Sequence, residues 1–515
     1  MRNRLTHAGF GILATLVGMA AGHLVAALTD PAASPVLAVG STVIDLTPTP
    51  VKEWAVQQFG TADKPILIGS VLLGALVLAA VAGLLTRRRF VLGAGLLVVL
   101  VGAAGVAALL RPTATAGDAL PAVVAGIVGV GALWWLTLAW SGLDRLDHRA
   151  GRPDHRPAPE GAATPSRRGV LIAAGVLTAA AAVMGGAGRW ITQYRTRPAD
   201  IALPDPRDPA PAFPRGLDDK VPGITSFRTP NDDFYRIDTR LTLPTISVDD
   251  YELSIDGDVD NELSFSFDEL VAMPLIERDI TLTCVSNDVG GPYVGGARWL
   301  GVRLTDLLDR AGVGDSADQI LSTDVDGMTI STPLDLATDG RDAMIAIGMN
   351  GEALPREHGF PVRMVIPGLY GFISATKWLT RLTLTTYAEQ DAYWTERDWA
   401  TDAPIKVQSR IDTPQSFDTI GSGDTFIGGV AWAQHRGIDK VEVTIDGGSW
   451  QEARLGPSAG EDYWRQWYLP WRAESGDHEL QVRATTRDGA VQTTAKASPF
   501  PNGASGLQKI IVKVS

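Results

Sequence analysis

Cys284 is the single cysteine in 515 residues. An intramolecular disulfide is thereby excluded, and so is a zinc site built from paired thiolates, so any stability outside the cytoplasm must come from packing. Histidine is scarce too. Of seven, only His23 lies within an apolar run, with His7 just before it. A transmembrane haem held by two imidazoles needs two such residues inside the spans, so the apolar part reads as an anchor or docking surface and not as an electron carrier. There is no HExxH, CxxC, GxSxG or P-loop, which leaves hydrolase and nucleotide-binding readings without support.

Charge is unevenly divided. Residues 1–188 hold 14 Lys and Arg against 9 Asp and Glu, and residues 189–515 hold 31 against 49, giving +5 and −18 within a total of −13. An acidic second part argues against nucleic acid as a partner.

Five apolar runs have the length of a bilayer crossing: about Phe10–Leu28, Pro65–Leu85, Phe90–Leu110, Leu120–Gly142 and Gly169–Gly188. None has a charge at mid-depth, which removes the main signature of an ion pathway. An inside-first path puts eleven arginines (2, 4, 87–89, 145, 149, 152, 156, 167 and 168) in the cytoplasm and only Lys52, Lys64 and Arg111 outside. The positive-inside rule then places everything after Trp190 on the extracytoplasmic side of a multi-pass cell-membrane protein. Trp134, Trp135 and Trp140 suit an interfacial anchor. Ser166-Arg167-Arg168-Gly169-Val170-Leu171 reads either as an internal twin-arginine export signal or as two ordinary positive-inside arginines.

Residues 191–222 are rich in proline and charge and read as a linker, an extended tether or arm. Beyond it, Ile280, Leu282 and Cys284 share one face of a period-2 pattern, with Thr281 and Thr283 on the other, so a short strand delivers the thiol at its end. Ser286, Asn287, Asp288 and Gly290-Gly291-Pro292 follow as a polar loop suited to a ligand. An isolated thiolate cannot complete a site of protein ligands, so a metal bound there must bring most of its own coordination.

Four blocks resemble one family. TLTCVSND, ARWLGVRLTDLLDRAGV, HGFPVRMVIPGLYG and TKWL are similar to the molybdopterin-dependent oxidoreductases of the sulfite oxidase type, here in a membrane-anchored bacterial form, over roughly residues 220–515. The resemblance implies molybdenum on a single molybdopterin, with Cys284 as metal ligand and catalytic centre. It gives cofactor-side roles to Asn231, Phe234 and Tyr235 in FRTPNDDFYRIDT, to Asn287, to the Arg298-Trp299 pair against the metal pocket, and to His358, Arg363 and Lys377 around a pterin phosphate. Tyr393, in DAYWTERDWA, takes the place of the active-site tyrosine, although Trp394 and Trp399 equally suit an aromatic clamp. Independently of the resemblance, Arg363 alternates with Val362, Met364 and Ile366, so it points away from their buried face toward something anionic.

From about Ile405, short alternating strands separated by turns argue an antiparallel β-sandwich of immunoglobulin-like type, matching the family's dimerisation domain. The expected fold is thus a five-span α-helical bundle (1–190), a linker (191–222), an α+β molybdopterin domain (223–403) and a β-sandwich (404–515). The implied activity is oxygen-atom transfer coupled to electron transfer, with an external electron-transfer protein or quinone-linked partner and a homodimer through the last domain. Sulfite oxidases carry arginines shortly after the cysteine, whereas here Asp288 and Val289 stand. A carboxylate repels sulfite, so a neutral or cationic small molecule such as a sulfoxide or N-oxide is favoured over it. The rival reading is a membrane-anchored binding or assembly protein that keeps the fold without the chemistry.

Overall fold

The structure is a computed structural model that describes residues 2–59, 62–111, 114–150, 167–195 and 201–515. It divides into two compact units: residues 1–197 with Thr239–Thr245, and residues 198–238 with Ile246–Ser515.

In the first unit, five helices are long and apolar enough to cross a membrane: Arg4–Leu28, Lys64–Leu85, Phe90–Leu109, Ala116–Trp140 and Arg168–Thr192. They belong to α1 (Arg2–Leu28), α4 (Asp63–Leu85), α5 (Phe90–Leu109), α6 (Leu120–Ala150) and α7 (Arg167–Arg195). Between α1 and α4, where the sequence suggests only a loop, lie α2 (Pro35–Leu46) and α3 (Thr49–Phe59). Helix α1 is the centre, packing on α4, α6 and α7. The approach depends on small residues, since a Cβ on Gly11 would sit 1.9 Å from the Ala79 carbonyl oxygen and one on Gly83 1.9 Å from that of His7. Phe10, Val17, Leu97, Leu133 and Leu136 fill the interior, while Leu73, Val91, Ile127, Leu171 and Val183 are exposed. Apolar side chains facing outward are what a lipid environment requires. Ser166, the first residue of the suspected export signal, lies outside the described residues; Arg167 and Arg168 open α7.

The second unit begins with an arm that runs along it, bridging Asp208 to Ile276 in parallel. One sheet contains β1 (Glu252–Gly257), β2 (Leu263–Ser266), β5 (Gln319–Asp324), β6 (Thr329–Pro333) and β10 (Leu379–Thr385), in the order β2-β1-β10-β5-β6. A second contains β3 (Leu275–Thr283), β4 (Val294–Arg303), β7 (Met344–Met349) and β8 (Glu352–Ala353), in the order β3-β4-β7-β8, with β9 (Arg363–Val365) also paired to β7. The β7–β8 hairpin turns on Asn350 and Gly351, both with positive φ (54° and 86°), as an Asn-Gly turn requires. The helix Leu304–Ala311 buries Leu304, Leu307 and Leu308 and ends on Gly312, whose φ of 69° is the left-handed cap glycine tolerates.

The last strands form two sheets. One is β11 (Gln408–Thr413), β13 (Gly423–Trp432), β17 (Arg465–Ala473) and β16 (Arg454–Leu455) in the order β11-β13-β17-β16. The other is β12 (Thr419–Ile420), β19 (Lys509–Val514), β18 (Gly476–Thr486), β14 (Ile438–Ile445) and β15 (Gln451–Glu452) in the order β12-β19-β18-β14-β15. Trp467, Leu469 and Trp471 of β17 share a core with Val441, Val443, Leu480, Val482 and Val512.

Candidate active site

Strand β3 pairs antiparallel with β4 from Leu275 opposite Val302 to Thr283 opposite Val294. The ladder runs one step further, the Cys284 N–H donating to the Tyr293 carbonyl (3.0 Å). Ile280, Leu282, Ala297 and Trp299 fall in one apolar cluster with Phe234, the side toward which the strand carries the thiol. Asn287 then shapes the loop: its backbone N–H donates to the Cys284 carbonyl (3.1 Å) and its Oδ1 accepts from the Tyr293 N–H (2.8 Å). Cys284 is 8% exposed. Burial pushes its thiol up, opposed by hydrogen bonds from the Ser286 backbone and hydroxyl and by the charge of Lys377.

Phe234 lies against Gly295, where a Cβ would come within 2.8 Å of the ring. That ring stacks on Tyr235 (5.2 Å, 21°) and meets His358 and Trp299 edge-on (5.4 and 5.9 Å). His358 Nε2 is 2.9 Å from the Asn231 carbonyl, which can only accept, so Nε2 carries a proton. Burial pulls the imidazole pKa down to about 4, leaving the ring neutral at pH 7. Tyr235, half-buried, has its phenol pushed up by burial and by the negative charge available at Cys284.

Arg363 is 5% exposed. Nη1 donates to the His358 carbonyl (3.0 Å), Nη2 to that of Ala375 (3.3 Å), and the guanidinium lies 5.0 Å from the centre of the Trp299 ring. Among the described residues it has no carboxylate partner, and its buried Nε has no hydrogen bond. Burial lowers its pKa to about 10, so the cation persists at neutral pH. Lys377 sits beside it because Gly359 has no side chain: a Cβ there would lie 3.1 Å from both Arg363 Cβ and Lys377 Cβ. Lys377 Nζ pairs with Asp238 (2.8 Å) and donates to the Glu357 carbonyl (3.1 Å). Burial draws its pKa down to about 8 against the pull of Asp238.

Thus Cys284, Phe234, Tyr235, Trp299, His358, Arg363 and Lys377 form one neighbourhood. The side chains of others named from sequence make different contacts. Arg298 neighbours Trp299 on a strand, so the two point to opposite faces; Arg298 is committed to its cross-strand partner Asp279 (2.7 Å) and to Glu277 (3.4 Å). The expectation that both face the metal pocket is therefore corrected by strand alternation. Asn231 uses Oδ1 to accept from Asn350 Nδ2 (2.8 Å), so its side chain braces two loops while its carbonyl holds His358. Tyr393 is built into an aromatic group, with its ring against Trp394 (5.0 Å) and under Arg397 (3.6 Å). Trp399 continues that group, contacting Trp394, Phe372 and Phe500. Sequence reasoning missed Asp238, Tyr370 and Gln434. Tyr370 is 2% exposed, and its phenol is raised by burial and by the proximity of Cys284.

A buried guanidinium without a carboxylate, beside a second buried cation, is electrostatically incomplete and suits an anionic group such as a phosphate. A buried thiol next to a lysine suits a metal that arrives with other ligands. Among the described residues no group of three or more His, Cys, Asp or Glu side chains could hold a metal ion.

Residues 240–394 match the family "Oxidoreductase molybdopterin binding domain". The chain is 32% identical over 307 residues to the mitochondrial sulfite oxidase of Rattus norvegicus, covering 50% of this chain and 55% of that protein. With the sulfite oxidase of Gallus gallus the identity is 30% over 306 residues, covering 50% and 65%. The crystal structure of the sulfane dehydrogenase SoxCD from Paracoccus pantotrophus superposes with a TM-score of 0.50 at 25% identity, over 56% of this chain and 82% of that one. The cluster around Cys284 is drawn mainly from the segment matched to the family, with Phe234 and Tyr235 just ahead of it. Residues 240–394 therefore carry an oxidoreductase molybdopterin binding domain similar to that of the sulfite oxidases, and the chain spans only 55% of the length of the first of these relatives.

Proposed function

We propose that the protein is a membrane-anchored molybdenum oxidoreductase that passes an oxygen atom to or from a small molecule and exchanges electrons with an external protein or a quinone-linked partner. The observation that carries this reading is Cys284, 8% exposed, with the uncompensated cation of Arg363 and the ammonium of Lys377 in the same buried neighbourhood. Molybdenum on a single molybdopterin, when bound, supplies the redox and oxo chemistry.

The chain's own residues do the rest. Cys284 offers a thiolate to the metal, and Lys377 and Ser286 favour that ionised form. Arg363 and Lys377 neutralise the pterin's phosphate. His358, neutral and held by Asn231, presents an imidazole edge without adding charge. Phe234, Tyr235 and Trp299 exclude water from the sulfur's surroundings. Asn231 and Asn287 shape the loops on either side.

The five long apolar helices and the excess of arginines on alternate loops support a multi-pass anchor with the second unit outside the cytoplasm. We assign residues 1–190 to the membrane domain, 191–222 to the linker, 223–403 to the molybdopterin domain and 404–515 to an immunoglobulin-like sandwich suited to homodimerisation. Asp288, exposed in the loop after Cys284, disfavours a dianion such as sulfite. The sulfur compounds in the names of the relatives support a sulfur-centred substrate, so a sulfoxide is preferred to an N-oxide.

The test is metal and pterin analysis of full-length protein expressed with cofactor synthesis, followed by dye-linked assays on sulfoxides, N-oxides and sulfite. About one molybdenum per chain and turnover of a sulfoxide are expected. Metal-free protein under those conditions would leave only an anchored binding protein.

A further inference from the structure

Strand β3, which leads into Cys284, lies at the edge of its sheet: β4 pairs with one side and, among the described residues, the other side meets only the Asp208–Ile276 bridge at the far end from the cysteine. Near the cysteine, the open side is closed by residues from the C-terminal sheets. The Thr281 N–H donates to the Asp462 carbonyl (2.9 Å), and the Trp464 N–H donates to Thr281 Oγ1 (3.0 Å). Gln434 supplies the remaining donors. Its Nε2 is 2.9 Å from the Thr281 carbonyl and 3.0 Å from Thr283 Oγ1. A carbonyl only accepts, so the amide is oriented with its NH2 toward β3. Gln434 is 2% exposed, Thr281 0% and Thr283 1%, so no water can substitute for these bonds.

Gln434 sits on the tight turn between β13 and β14, where the Arg436 and Gly437 N–H groups both donate to the Ala433 carbonyl (3.0 and 2.8 Å) and His435 has a φ of 65°. The same turn presses on a second segment next to the sulfur. A Cβ on Gly368 would come within 2.9 Å of His435 Cβ, and Gly368 leads into Tyr370 and Gly371. A Cβ on Gly371 would in turn lie 3.8 Å from the Thr283 carbonyl oxygen and 4.0 Å from the Tyr235 hydroxyl.

We propose that the Ala433–Gly437 turn clamps the end of β3, with Gln434 as the positioning residue that sets where the Cys284 sulfur stands. Gln434 does not touch the sulfur. It acts through the two threonines that precede it, and without its donors two buried acceptors lose their partners and the strand end loosens. The inference rests on the reading of Cys284 as the metal ligand.

Two measurements on full-length protein test it, with Gln434→Met, Thr283→Val and the double variant. Amide hydrogen exchange of the segment containing Cys284 is expected to quicken about tenfold in Gln434→Met. In metal-loaded protein the EPR signal of one-electron-reduced molybdenum should shift its g values while metal content changes by less than about twofold. The double variant should be no worse than the more affected single one, since both remove the same bond. Unchanged exchange and an unchanged EPR signal in folded Gln434→Met would overturn the clamp. Faster exchange with an unaltered signal in loaded protein would do so as well, because the turn would then serve the fold alone. Should no preparation contain molybdenum, the positioning role falls with the proposed function on which it rests, and exchange then reads only whether the turn holds the end of β3. Should Gln434→Met not fold, Thr283→Val decides on the same two readouts.

Discussion

Asp238 and Lys377 form an ion pair of 2.8 Å with side chains only 5% and 11% exposed, and Lys377 is the cation whose charge reaches the Cys284 thiol. Asp238 also pairs with Arg236 (2.8 Å), so a single carboxylate holds two cations at the edge of the site. Replacing it by Asn leaves Lys377 buried without its counter-ion. We expect Asp238→Asn to lower unfolding stability by about 3–5 kcal/mol, the usual cost of breaking a buried pair from one side. Denaturant unfolding followed by tryptophan fluorescence measures it, and a loss below about 1 kcal/mol would show that the pair is effectively solvated.

Arg363 should behave in the opposite sense in cofactor-free protein. Its guanidinium is a buried charge with no carboxylate among the described residues, so Arg363→Met relieves desolvation there and leaves stability unchanged or raised. The same variant should lose retention of the anionic cofactor by roughly 10- to 100-fold, the worth of a charge-assisted hydrogen bond. Pterin content after gel filtration is the readout; full retention would mean that the anion lies elsewhere.

His358 predicts an acid limb. Its pKa is lowered to about 4 in the fold from an ordinary 6.5, so between those values the unfolded chain binds more protons and stability falls as pH drops from about 6.5 to 4. The loss reaches roughly 3 kcal/mol if burial acts in full. His358→Gln keeps a donor for the Asn231 carbonyl but cannot titrate, so its stability should be flatter across that window. Equal slopes in the two proteins would assign the acid limb to other groups.

For Cys284→Ser we expect an intact fold, pterin still bound through Arg363 and Lys377, and turnover below about one hundredth of wild type, because even residues that only support a metal ligand cost 10- to 100-fold. Circular dichroism, pterin fluorescence after release and a dye-linked assay separate the three. Near-wild-type turnover would remove the sulfur from the chemistry.

The placement of Arg363 was legible in the sequence. Val362, Met364 and Ile366 do lie in the main core, while Arg363 lies on the other side against Trp299, because alternation along a strand is a local property of the backbone. The same rule bears on Arg298 and Trp299. Adjacent strand residues cannot face one pocket, yet the family pattern names them together, and local geometry was the better guide. The surroundings of Tyr393 were less legible for a different reason: a loop tyrosine has no periodicity to say what its ring meets, and here it meets Trp394 and Arg397.

By itself the sequence determined the five apolar helices, the strand that ends in Cys284 and the Asn350-Gly351 hairpin, since each depends on residues within a few positions of one another. Only the tertiary structure decided that Asp238 would hold Lys377, 139 residues away, and that Gln434 would close the open side of β3 across 153. Such pairings are fixed by which buried polar groups are left without partners once the sheets have packed, and a chain read in order contains no record of that remainder.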